Sequence, residues 1–169
     1  MRNRLCAVTI LAALTALAAQ AQKADLNGTW KLNVPRSFMG SDHPFSNYQL
    51  TKKIEQKNDA ISITDVGVNN SVVNIPLPDS TSTLDVAVDG KEHEVQLPPS
   101  FPGRPPARAQ VTATWLGCTL ELRQITAGLA NYAIHRLFLS PDGTQLIDLV
   151  EQHSTYGDSE QRLVFEKAR

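Results

Sequence analysis

Histidine is the residue type here best suited to chemistry, because imidazole can ligate metal or move protons near neutral pH. The chain has four: His43, His93, His135 and His153. None of them form a closely spaced pair. His135 and His153 fall on segments joined through Pro141-Asp142-Gly143, and a turn there sets residue 135 opposite 149 or 150. His153 then lies further along by roughly 10–13 Å at about 3.3 Å per residue. Ligands of one zinc must all reach it at about 2.0–2.1 Å, so no shared metal is expected. In Glu92-His93-Glu94 strand alternation puts both carboxylates on the face away from the imidazole, as at a solvated strand end. Asp148 and Glu151, three apart on one strand, also take opposite faces and cannot work as an acid–base pair. There is no Gly-x-Ser-x-Gly elbow and no phosphate-cradling glycine loop. Cys118, within Trp115-Leu116-Gly117-Cys118-Thr119, has no basic neighbour to lower its pKa. We therefore expect no catalytic motif, no metal ligand set and no cofactor. An enzyme site assembled from distant residues stays open as a third reading of function.

The elements that must position these side chains are short alternating segments broken by turn residues, the mark of antiparallel β structure. Thr29–Val34, Tyr48–Gln56, Ala60–Val66, Ser71–Leu77, Ser82–Val88 and Glu92–Leu97 read as strands. Asn58-Asp59 and Asp89-Gly90 read as turns, the latter a strong hairpin signal. Pro98–Pro106 holds five prolines and cannot join a central strand; it reads as a stiff surface loop. A short helix fits within 36–47. Ala109–Trp115, Thr119–Thr126, Asn131–Ser140, Gln145–Ser154 and Gln161–Lys167 then form a meander. A two-residue turn at Leu116-Gly117 would pair Ala113 with Leu120 and Val111 with Leu122. Val111, Ala113, Trp115, Leu120 and Leu122 share one face of that hairpin. On the following strand, Tyr132, Ile134, Arg136 and Phe138 share one face, and Ala133, His135, Leu137 and Leu139 the other. Both faces carry apolar groups, so the inward face stays open. Strands of this number and length point to an all-β, antiparallel up-and-down barrel of about 8–10 strands, since closure removes exposed edges.

The front of the chain has a different character. Arg2 and Arg4 precede the almost unbroken apolar run Leu5–Ala19, and Ala19-Gln20-Ala21 offers a small-x-small cut, the layout of a secretory signal peptide. The run is shorter than the roughly 20 residues of a membrane-spanning helix. Cys6 stands at its start, which argues against lipid attachment at the cut. We expect residues 1–21 to be a leader, 22–169 to form one domain, and the product to be periplasmic or secreted with no transmembrane segment. The only cysteine remaining would be Cys118, so no internal disulfide can form. Lys and Arg number 16 against 17 Asp and Glu, a formal net charge of −1. Losing Arg2 and Arg4 would make it slightly more negative, which gives no support to nucleic-acid capture. Sequons at Asn27 and Asn69 matter only in a glycosylating host.

Asn27-Gly28-Thr29-Trp30-Lys31-Leu32 resembles the glycine-x-tryptophan start of lipocalin-like (calycin) barrels. Asp89-Gly90-Lys91, Leu139-Ser140-Pro141-Asp142-Gly143 and Leu163-Val164-Phe165-Glu166-Lys167 resemble stretches of small exported bacterial proteins of that kind. The resemblance implies a barrel with an apolar cavity, Trp30 plugging one end beside Gly28, and a late-strand arginine, Arg136 or Arg162, across the indole. The chain lacks the disulfide pair and C-terminal helix of the usual pattern.

Three functions fit. The first is binding of a small apolar or amphipathic ligand inside the barrel, with Trp115, Tyr132, Phe138, Leu120 and Leu122 as candidate lining residues. The second is a protein partner engaged by the loops at 98–106 and 38–45 of a filled barrel. The third is the enzyme already named. An open or a packed interior separates the first from the second.

Overall fold

In the segment Ala107–Leu116, Ala109, Val111 and Ala113 are buried and their immediate neighbours are not. The same period runs through Thr119–Thr126, and both segments belong to the ten strands of the computed structural model, which describes residues 23–39, 48–69, 80–97, 106–127, 131–155 and 157–168. The strands are β1 (Gly28–Leu32), β2 (Tyr48–Lys57), β3 (Ala60–Asn69), β4 (Ser80–Ala87) and β5 (Glu92–Leu97). Then come β6 (Ala107–Leu116), β7 (Thr119–Thr126), β8 (Tyr132–Leu139), β9 (Gln145–Ser154) and β10 (Gly157–Lys167). The expected strand at 71–77, the proline loop apart from Pro106, the segment 40–47 and the leader lie outside the described residues. Val34–Arg36 forms one 3-10 turn, capped by the Asn33 side chain. No helix among the described residues is long and apolar enough to cross a membrane.

All ten strands belong to one antiparallel sheet in the order β4-β3-β2-β1-β10-β9-β8-β7-β6-β5. Each ladder joins neighbours in sequence except β1 with β10, where Trp30 faces Lys167. The sheet curls into a nearly closed barrel, and its free ends β4 and β5 approach each other without a ladder. Asp89-Gly90 therefore does not make the hairpin expected of it. The Val88 N–H donates to the Asp59 carbonyl and the Gly90 N–H to the Ala113 carbonyl, at 2.6 and 3.0 Å. Each side of the corner is tied to a different neighbour, so the strands diverge.

The β6–β7 turn falls one residue later than the sequence pattern places it. Leu116 faces Thr119, leaving Gly117-Cys118 as the two-residue loop, and Gly117 takes φ +64°. A two-residue hairpin loop favours glycine at its first central position when that residue needs positive φ. Ala113 consequently faces Leu122, and Trp115 faces Leu120. The register moves by two, so every side chain keeps its predicted face.

The core runs along the barrel axis through Ile54, Ile61, Val111, Leu120, Leu137, Leu146 and Phe165, all 2% exposed or less. The segment before β1 packs against this core through Leu26 and Ala24. Trp30 is buried and its indole N–H donates to the Leu26 carbonyl at 3.0 Å. The Gln56 side chain fixes that segment in place, accepting from the Leu26 N–H at 2.5 Å and donating to the Ala24 carbonyl at 3.0 Å.

Candidate functional site

Four inward positions break the apolar alternation. Lys52 stands between Leu50 and Ile54 on β2, and Asp65 between Ile63 and Gly67 on β3. His135 stands between Ala133 and Leu137 on β8, and Asp148 between Leu146 and Val150 on β9. The Asn58-Asp59 turn sets Lys52 directly across from Asp65. The β8–β9 ladder sets His135 opposite Val150, two residues from Asp148 on the same face. Barrel closure then brings the two hairpins together around one interior space.

Lys52 Nζ lies 2.9 Å from Asp65 Oδ2 and 3.7 Å from Asp148 Oδ2. It also lies 5.7 Å from the centre of the Phe165 ring, within reach of a cation–π contact. His135 Nδ1 lies 3.2 and 3.3 Å from the two carboxylate oxygens of Asp148. The Lys52 and Asp148 side chains are only 5% and 1% exposed, so both charges are out of water. Burial works to lower the Lys52 pKa, but Asp148 and Asp65 outweigh it and hold the group above its ordinary value. Burial works to raise Asp148, but His135 and Lys52 outweigh it and hold the carboxyl below its ordinary value. The pair is thus an ammonium and a carboxylate at neutral pH, and Lys52 is no amine nucleophile. Asp65 Oδ1 is buried and has no hydrogen-bond partner among the described residues.

These four residues border a cavity of about 380 Å³ whose walls include Ile63, Leu84, Leu97, Val111, Leu122 and Leu137. Small-molecule pockets span about 300–1,000 Å³ and combine apolar walls with a few convergent polar groups. Residues of both β4 and β5 line it where the sheet is open, and Lys52 on its wall pairs across the β1–β2 ladder with Trp30. Part of the interior is therefore open beside the packed core.

By sequence, no protein-family pattern and no curated protein matches the chain. Solved structures do. An abundant heat soluble SAHS protein of Ramazzottius varieornatus superposes with a TM-score of 0.59 at 11% identity, over 89% of this chain and 100% of the other. The zebrafish ileal bile acid-binding protein, complexed with cholic acid, gives 0.54 at 16% identity, over 84% of this chain and 98% of the other. Lipid binding protein 8 of Caenorhabditis elegans gives 0.55 at 13%, over 86% and 99%. The fold is that of the lipocalin-like, fatty-acid-binding type of barrel. At these identities the likeness concerns the fold alone.

Within this lipocalin-like barrel the residues singled out by sequence separate. Leu122 lines the cavity, while Leu120 is fully buried in the core and Trp115 packs against it half-buried. Tyr132 and Phe138 share the outer face of β8, because the inward face is that of Ala133, His135, Leu137 and Leu139. Tyr132 stacks on His153 there, ring centres 4.2 Å apart, with the Arg123 guanidinium 5.5 Å from its ring. Phe138 sits opposite Ile147, and Ile147 opposite Val164, an apolar row on the outside of the barrel.

The cation beside the Trp30 indole is Lys167, with Nζ 5.4 Å from the ring centre, in place of the expected arginine. Register explains this: Lys167 faces Trp30 directly, whereas Arg136 and Arg162 point outward. Arg136 bridges Glu121 and Glu151, and Arg162 reaches the Arg36 carbonyl. Gly28, at φ +137°, brings its backbone so near Lys167 that a Cβ there would lie 3.1 Å from Lys167 Cε. His93 pairs with Asp89 at 2.8 Å beside the corner, and Cys118 is exposed on its turn. No group of three or more metal-ligating side chains converges among the described residues.

The Lys52–Asp65–Asp148–His135 cluster matches no short motif because its members come from four strands. The usable signal was phase: each is a polar residue at a position where the alternation calls for an apolar one.

Proposed function

We propose that the chain is an exported lipocalin-like carrier that takes a small amphipathic molecule into its barrel. The observation that carries this reading is the cavity of about 380 Å³ bounded by apolar walls and one buried polar cluster. Two fold neighbours, one a lipid binding protein and one complexed with cholic acid, make a hydrophobic ligand the natural class. Leu122, on the wall, and Leu120, behind it, are the members of the predicted set that contribute to this interior. Export follows from the expected leader at residues 1–21, and N-terminal sequencing of protein recovered outside the cytoplasm tests it.

Ligand binding is tested by thermal shift and by fluorescence of Trp30 and Trp115 across a panel of medium-chain amphiphiles. Binding should raise the melting temperature, since a ligand at a hundred times its Kd stabilises by about 2.7 kcal/mol. Leu122→Trp, which fills the cavity, should abolish the shift. A panel in which nothing shifts the wild-type protein would refute the carrier.

The Asp148–His135 contact favours a second reading, hydrolysis of a small ester, because a buried carboxylate orients the imidazole as in base-activated nucleophile sites. No hydroxyl or thiol among the described residues is hydrogen-bonded to His135, which ranks this reading second. Hydrolysis of p-nitrophenyl acetate that vanishes in His135→Gln would promote it.

A further inference from the structure

The polar cluster says which head group the cavity accepts, an inference that rests on the carrier reading above. Among the described residues lining the cavity, Lys52 is the only cation, apart from His135 when protonated. Its charge is already matched: Asp65 Oδ2 lies at 2.9 Å, Asp148 Oδ2 at 3.7 Å, and the Phe165 ring covers another side. With His135 neutral, Lys52, Asp65 and Asp148 sum to one negative charge. With His135 protonated the four groups sum to zero. In neither state does the wall offer an anion a surplus of positive charge. A carboxylate brought here would meet two carboxylates in a site drier than water, where like charges repel more strongly.

The Asp65 carboxylate offers the opposite opportunity. Asp65 lines the cavity with its side chain 31% exposed. A cationic head beside it would offset the surplus negative charge, and a donor N–H or O–H would gain a charge-assisted hydrogen bond. Ser82 and Gln124 on the same wall are neutral and leave the balance unchanged.

We propose that the cavity selects amphiphiles with a hydrogen-bond-donating, uncharged or cationic head, a primary amine above all, and discriminates against the carboxylate of fatty and bile acids. The recognising group is the Asp65 carboxylate, and Lys52 serves as an internal counterion that fixes the two aspartates and not as an anion receptor.

Decylamine, decanol and decanoate share one chain and differ in the head, so calorimetric titration of each at neutral pH isolates the effect. The expected order is decylamine, then decanol, then decanoate, with amine and carboxylate at least tenfold apart. In Asp65→Asn, which keeps the shape and removes the charge, the amine-to-carboxylate ratio should fall to threefold or less. Decanoate binding as tightly as decylamine to the wild-type protein would overturn the head-group assignment while leaving the carrier intact. An unchanged ratio in Asp65→Asn would overturn the role of Asp65. Failure of all three compounds to bind would overturn the carrier reading and this inference with it. Should Asp65→Asn not fold, the wild-type order alone decides.

Discussion

Lys52→Met removes the counterion of the buried cluster and keeps most of the side chain's volume. Asp148, 1% exposed, is left with His135 as its one close side-chain partner among the described residues, and Asp65 loses its 2.9 Å ion pair. Breaking a buried pair by removing one member costs about 3–5 kcal/mol, chiefly because the remaining charge stays desolvated. A domain of this size has only about 5–15 kcal/mol in total, so the variant should stay folded but weak. Urea denaturation should show the midpoint falling while the slope is unchanged. The melting temperature should drop by roughly 6–20 °C.

The pH dependence is the sharper part of the test. In the wild-type protein Asp148 is held below its ordinary pKa, so its contribution is present above the unfolded carboxyl value and is lost as pH falls through the folded one. Lys52, held above its ordinary value, contributes below the unfolded lysine pKa and loses that contribution as pH rises through the folded one. In Lys52→Met the desolvation of Asp148 is no longer offset by the ammonium, so its pKa moves upward. Protonation then relieves the buried charge, and the stability gap to wild type should narrow as pH is lowered from 7 towards about 4, near the ordinary carboxyl pKa. The double variant Lys52→Met/Asp148→Leu should recover much of the loss, because an apolar replacement of both members leaves no orphan charge. A loss below about 1 kcal/mol that stays constant with pH would refute the reasoning, since that is the behaviour of an exposed pair.

Trp30→Ala should lower stability by about 3–5 kcal/mol in the same urea assay, as truncating a buried large aromatic does, and it also strands the Leu26 carbonyl. Gly28→Ala should cost about 1–3 kcal/mol, because φ +137° disfavours a side chain and the new methyl would press on Lys167 Cε. The Asp142 carboxyl, held down to about 2 by the Ser140 hydroxyl and the Thr144 N–H, should titrate well below ordinary aspartates by NMR. Its small contribution to the β8–β9 turn is present above the unfolded value and disappears as pH falls through the folded one; Asp142→Asn should remove that dependence.

Alternation made most strands legible: Glu92–Leu97, Thr119–Thr126 and Gln145–Ser154 were readable to the residue because turn residues bracket them tightly. Register was harder. The turn next to Gly117 was one residue from its expected place, and only the positive φ of that glycine decides between the two positions. Asp89-Gly90 misled for a different reason: a dipeptide reports that the chain turns, and partners elsewhere decide whether the flanking strands pair. The face of β8 could not be read because Phe138 and Ile134 are as apolar as Leu137 and Leu139. The deciding fact is the apolar row outside the barrel, which is a tertiary feature. Half of the polar cluster was within reach, since the Asn58-Asp59 turn alone implies Lys52 opposite Asp65. Its union with His135 and Asp148 depends on barrel closure, which no local window contains.

That closure also dictates an order of events. β1 completes the wall only by pairing with β10, so Asn33 and Glu166, 133 positions apart, must meet before the interior is sealed. Contacts this remote carry a loop-closure cost that has to be met before they return any stability, and they slow folding. Trp30 has no partner on this side until Lys167 of β10 is in place across from it. Until β10 is in place the sheet stays unsealed, and its inward leucines lie open to any apolar surface they meet.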